Sequence, residues 1–159
     1  MRMKSLLWRL TLKLKRKPFL IQILILFSLS FVFVVSVLPF IFLTELSIGE
    51  NNTKPEFKDL VTVAIIVPIL ETLIHQYLPF KLMQMWSLTK SKYGLYILLS
   101  AIIFGLWHYY SLQYIIFAFS VGLILGYTYC FYSKTPTVAF WSTALIHCLR
   151  NSIAFLIPF

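Results

Sequence analysis

Residues 66 to 80 read IVPILETLIHQYLPF, an apolar run with a carboxylate at its centre. An acid in the middle of a bilayer-spanning helix costs about 2.5 to 3.5 kcal/mol on insertion scales, so Glu71 needs a partner or a purpose. Its surroundings establish that this is a membrane segment and not a soluble core. Of the 159 residues, 60% are apolar and only 12% charged, and the mean hydropathy is +0.86, far from a soluble globular domain. The predicted fold is therefore all-α, a polytopic transmembrane helix bundle forming one membrane domain over residues 18–159.

The net charge of +9 does not point to nucleic acid. Half of the 14 basic residues, Arg2, Lys4, Arg9, Lys13, Lys15, Arg16 and Lys17, precede the first long apolar run and are not accompanied by a groove-reading motif. They interleave with Leu6, Leu7, Trp8, Leu10, Leu12 and Leu14, so residues 1–17 are predicted to form an amphipathic segment on the cytoplasmic leaflet, with membrane lipid as its partner. The run after Pro18 lacks a small-residue cleavage pattern, so it reads as an anchor and not as a signal peptide. Cys130 and Cys148 both lie in apolar runs and suggest neither a disulfide framework nor a zinc knuckle.

Some 20 apolar residues cross the hydrocarbon core, and residues 18–43, 60–80 and 137–159 each satisfy that once. Residues 93–133 contain no Lys, Arg, Asp or Glu and suffice for two spans, with the cluster His108 to Gln113 at the turn. Five helical spans are predicted. With the N-terminus cytoplasmic, Lys81, Lys90, Lys92 and Lys134 fall on the cytoplasmic side too. Glu45, Glu50, Glu56 and Asp59, with only Lys54 and Lys58, fall on the other, which is where the C-terminus would lie.

Beyond Asp59 the chain has one acid, Glu71, and its three histidines, His75, His108 and His147, all follow it. At 1.5 Å per residue Glu71 lies about 15 Å deep from the cytoplasmic edge, His147 about 16 Å and His108 about 22 Å, so a modest tilt levels them. His147 and Asn151 are four apart and share a helix face, as do Glu71 and His75. Pro68 is expected to kink the helix and open space or a carbonyl near the acid, and Gly105 to allow close helix approach beside His108.

A desolvated carboxylate is a general base, and neutral imidazoles can donate to an oxyanion or bind a metal. One carboxylate and two histidines, Glu71, His108 and His147, also suit a divalent ion such as zinc with an open position for water. Either arrangement activates water for hydrolysis inside the membrane. Each residue has a structural alternative: His108 in an aromatic belt, His147 as a helix-bridging donor, and Asn151 and His75 as structural polar residues, His75 lying one turn nearer the cytoplasm. Intramembrane Glu and His also mark transporters and proton relays, but no inverted repeat accompanies them here.

Glu71 in the second span, Phe104-Gly105-Leu106-Trp107-His108 in the third, and His147-Cys148-Leu149-Arg150-Asn151 in the last resemble the Abi or CPBP family of intramembrane proteases, which includes the type II CAAX prenyl endopeptidases. Its motifs are Glu-Glu-x-x-x-Arg, Phe-x-x-x-His and His-x-x-x-Asn, and the resemblance covers about residues 60–155. It implies an endopeptidase acting on a peptide or protein substrate, often described as a metalloprotease. Glu71 and His108 would activate water, and His147 and Asn151 would stabilise the oxyanion. The first motif departs: Thr72 and Gln76 replace the second Glu and the Arg. Removing both members of a buried ion pair need not cost what removing one would. The departure is compatible with an altered surround for a working site and with an inactive member that acts by binding, as an immunity protein would. Thr72, His75, Gln76, Phe104 and Arg150 are expected around the site. Arg150 is expected either to pair with Glu71 or to reach out to the interface.

Overall fold

The computed structural model describes residues 6–43, 59–85 and 92–156. Arg2, Lys4, Glu45, Glu50, Lys54, Glu56, Lys58 and Lys90 lie outside the described residues, and with them part of the charge asymmetry used to orient the chain.

Among the described residues there are six helices and no strand. A basic α1 (Leu6–Lys15) precedes α2 (Phe19–Leu43). Next come α3 (Thr62–Met85), α4 (Tyr93–Trp107), α5 (Leu112–Tyr132) and α6 (Pro136–Leu156). The apolar run 93–133 splits at a turn after Trp107, and the new helix begins with Ser111 as N-cap, its hydroxyl accepting from the Tyr114 N–H. Three helices, α2, α3 and α5, are long and apolar enough to cross a membrane; α4 is apolar but has 15 residues. The fifth predicted span, α6, has the length but interrupts its apolar positions with Ser142, Thr143, His147, Arg150, Asn151 and Ser152. Those polar residues lower its membrane signal.

The outside of the bundle is apolar, and its interior mixes apolar side chains with fully buried polar ones. Leu20, Val35 and Leu106 are 67%, 61% and 60% exposed, while Thr72, His75 and Gln76 are fully buried. An exterior made of large apolar side chains is the mark of a chain whose solvent is lipid. The central helix is α5. It joins α2 and α6 through Ile23, Leu26, Val121, Leu125 and Ile146 in one cluster, and α3, α4 and α6 through Phe80, Tyr96, Tyr129 and Ala139 in a second. The backbones of α4 and α5 touch: a Cβ at Gly122 would lie 2.8 Å from the Ala101 Cα, and one at Gly105 3.1 Å from the Ile115 carbonyl oxygen. The amphipathic α1 is tied to this core, with the Thr11 and Tyr127 hydroxyls 2.8 Å apart and Lys15 lying over the Phe131 ring.

Candidate active site

At Pro68, where a kink is expected, the helix continues but with two irregular turns. A π turn, Thr62–Ile66, ends just before the proline, and a second, Leu73–Tyr77, follows Thr72, so the α-helical segment Val67–Thr72 carrying Glu71 is bracketed by two widened turns. Proline lacks an N–H and its ring crowds the preceding turn, and a π turn accommodates both. Widened turns also redirect carbonyls toward neighbouring helices, and side chains on those helices take them up. From α6, Asn151 Nδ2 donates to the Val63 carbonyl at 3.2 Å and the Cys148 thiol to that of Ile65. From α4, Ser100 Oγ donates to the His75 carbonyl at 2.7 Å and the Tyr96 hydroxyl to that of Gln76 at 2.9 Å. The helix around Glu71 is thus clamped from both sides.

Held in this way, the Glu71 carboxylate lies between two imidazoles. Its Oε1 is 3.5 Å from His108 Nε2 and its Oε2 is 3.4 Å from His147 Nε2. His108 ends α4, where Nδ1 donates to the Phe104 carbonyl at 2.7 Å. A carbonyl only accepts, so the proton sits on Nδ1 and the Nε2 lone pair of the neutral ring faces Glu71. Phe104 also packs edge-on against His147, at 5.5 Å between ring centres, and so positions both histidines.

The other expected neighbours divide. His75 turns away from the carboxylate: its Nδ1 donates to the Glu71 carbonyl at 3.0 Å, and its ring packs edge-on against Phe104 and Trp107. Thr72 and Gln76 are completely buried, and their side-chain polar atoms have no hydrogen-bond partner. Arg150 neither pairs with Glu71 nor reaches outward. It is buried, with its guanidinium over Phe117 at 4.9 Å and Phe31 at 5.7 Å, because position 150 is three residues from His147 on a face of α6 that meets α2 and α5. Among groups absent from the sequence expectation, Tyr114 stands 5.5 Å from the His108 ring, and Ser100 and Tyr96 hold the second π turn. Only the helix pairing reveals those contacts.

One carboxylate and two imidazoles are the donor types of a hydrolytic zinc site. As the side chains stand, however, no group of three or more His, Cys, Asp and Glu among the described residues is arranged to hold a metal ion. Glu71 is interposed between the rings, one per oxygen.

Residues 53–153 match the type II CAAX prenyl endopeptidase Rce1-like family. The chain belongs to that family. It is a protease family, and with the lipid-facing helices described above it makes the chain an integral membrane protein. The matched stretch of this Rce1-like chain starts before α3 and includes Glu71, His108, His147 and Asn151, leaving α1 and α2 outside it. No curated protein and no solved structure matches the chain.

Proposed function

We propose that this Rce1-like protein is an intramembrane endopeptidase whose nucleophile is a water activated by Glu71 and His108. The observation that carries this reading is the seating of a carboxylate between two imidazoles, below the surface of a bundle whose outside faces lipid. At 3.5 Å the Glu71 Oε1 and His108 Nε2 are too far apart for a good direct hydrogen bond, and both are acceptors when the imidazole is neutral. A water seated to one side of the pair, within hydrogen-bond reach of each atom, donates to both, which raises electron density on its oxygen. That oxygen attacks the peptide carbonyl carbon and its proton passes to Glu71. His147, together with the Asn151 N–H not used on Val63, donates to the oxyanion. Collapse of the intermediate breaks the C–N bond, and Glu71 returns the proton to the leaving amine.

No step here uses a metal. Zinc or another divalent ion held by Glu71, His108 and His147 would polarise the same water and would require the trio to close around it. Orientation follows the basic residues, with the N-terminus cytoplasmic and the C-terminus opposite.

The test compares protein N-termini, by mass spectrometry, in membranes from cells making the parent chain or Glu71→Gln at matched levels. New termini confined to the parent are expected, with turnover reduced by about 10²- to 10⁴-fold in the variant. Identical profiles from two correctly inserted proteins would replace this reading with that of a family member acting by binding.

A further inference from the structure

The proposed chemistry leaves one cation of the bundle interior without a use. Arg150 shares α6 with His147 and Asn151 and is only 8% exposed. Its Nε is buried and has no hydrogen-bond partner. Among the described residues no carboxylate pairs with it: Glu71, the only acid of the chain after Asp59, lies between two imidazoles.

The surroundings of Arg150 are aromatic. Phe117 of α5 and Phe31 of α2 receive the guanidinium at 4.9 and 5.7 Å, and α2 lies outside the family-matched residues 53–153. Ring faces attract the charge, but they offer no lone pair to the five N–H donors of the planar fork. The missing component is an acceptor that carries negative charge, and a planar carboxylate matches the fork with two parallel hydrogen bonds. A headgroup phosphate would match the charge and not the depth. By helix rise, position 150 lies about 20 Å from the cytoplasmic edge of an apolar layer about 30 Å thick.

Position ties this acceptor to the reaction. Arg150 is one turn beyond His147, about 4.5 Å along α6, and an extended peptide advances about 3.3 to 3.6 Å per residue. A group held by Arg150 therefore belongs within about two residues of a carbonyl addressed by His147. The rings also mark a route. Tyr114, 37% exposed, touches the His108 ring at 5.5 Å and stacks on Phe117 at 5.9 Å. An unbroken line of ring contacts thus leads from the bundle surface past His108 to the guanidinium.

We infer that Arg150 is a specificity-determining residue that binds a carboxylate of the substrate within about two residues of the scissile bond. The inference rests on the peptidase reading above and adds to it the kind of peptide the site selects. An Asp or Glu side chain and a free C-terminus offer the same two-oxygen acceptor, and the test separates them.

The full chain in neutral detergent is titrated with fluorescent apolar peptides of one sequence in three forms: a free C-terminal carboxylate, an amidated form with a single Glu, and an amidated form with Gln in its place. Fluorescence anisotropy at high ionic strength, which screens the surface lysines, is followed for the parent, Glu71→Gln, Arg150→Leu and Arg150→Lys. Glu71→Gln removes turnover from the measurement. The parent and Glu71→Gln are expected to bind at least one carboxylate peptide about 10- to 100-fold tighter than the neutral one. Arg150→Leu should lose that preference and still bind the neutral peptide, and Arg150→Lys, which keeps the charge without the fork, should retain part of it. Equal binding of all three peptides by the parent overturns the inference without recourse to any variant, and so does a preference that survives Arg150→Leu. Preference for the free-acid peptide alone sustains the chain end and overturns the side chain as source; preference for the Glu peptide alone does the reverse. Carboxylate preference alongside identical N-terminal profiles of parent and Glu71→Gln in cells overturns the peptidase reading and leaves Arg150 as the carboxylate site of a binding protein. Termini confined to the parent, without carboxylate preference, sustain the peptidase and overturn the role of Arg150.

Discussion

Two helix contacts in this bundle are built on opposite principles. The α4–α5 contact is a backbone contact, with Gly122 against the Ala101 Cα and Gly105 against α5, made by small residues that let dispersion act at short range. The α3–α6 contact is a polar one, in which Asn151 and Cys148 reach the carbonyls of a π turn and His147 reaches the acid. Lipid supplies no hydrophobic drive between helices. The first contact therefore gives rigidity, and the second can exist only because side-chain donors satisfy the carbonyls that the widened turn redirects. Rigidity on one side and controlled irregularity on the other place Glu71 between two histidines.

The comparison is tested most severely at the positions where the first family motif departs. Thr72→Glu or Gln76→Arg alone buries an unpaired charge and should destabilise the protein by about 3 to 5 kcal/mol, whereas the double variant recovers most of that loss. Thermal unfolding in detergent reads both; additive losses in the double variant would show that the two positions do not face each other.

The polar contact should show its next largest effect in Asn151→Ala, which removes the bond to Val63 and a proposed oxyanion donor. Turnover should fall about 10²- to 10³-fold, mostly in kcat. A change in KM alone would assign Asn151 to the clamp and not to the oxyanion.

On the backbone side, Gly122→Ala forces α4 away from α5 and should cost about 1 to 3 kcal/mol in thermal unfolding. Gly94→Ala, where an added Cβ meets nothing within 4 Å, is its silent counterpart. Equal melting temperatures for the two variants would remove the distinction between the contacts.

The smallest effect is expected from Arg150→Leu. Its guanidinium lies over Phe117 and Phe31, so the infrared carboxyl band of Glu71 should titrate as in the parent, with stability lowered by no more than about 2 kcal/mol. A displaced titration would reinstate an Arg150–Glu71 pairing.

Much of this was legible in the residues. Spacing alone put His147 and Asn151 on one helix face, and depth arithmetic levelled Glu71 with the histidines, because an α-helix advances by a fixed rise and turn per residue. The helix irregularity beside Pro68 and the close approach at Gly105 were equally local, arising from a missing N–H and a missing Cβ. The direction of Arg150 was not, since a guanidinium on a four-bond stem goes where rings from other helices receive it.

By itself, then, the sequence determined a lipid-facing helical bundle, the helix carrying each polar residue and a common depth for Glu71, His108 and His147, all consequences of hydropathy and helical periodicity; the place of Asn151 beside them came from the motif resemblance. Only the tertiary structure decided that Glu71 is flanked by π turns stapled by Asn151, Ser100 and Tyr96, that His75 faces the backbone and not the carboxylate, and that Arg150 stacks on aromatic rings. Those outcomes depend on which carbonyl, ring or carboxylate a neighbouring helix presents. Periodicity along one chain segment does not contain that information.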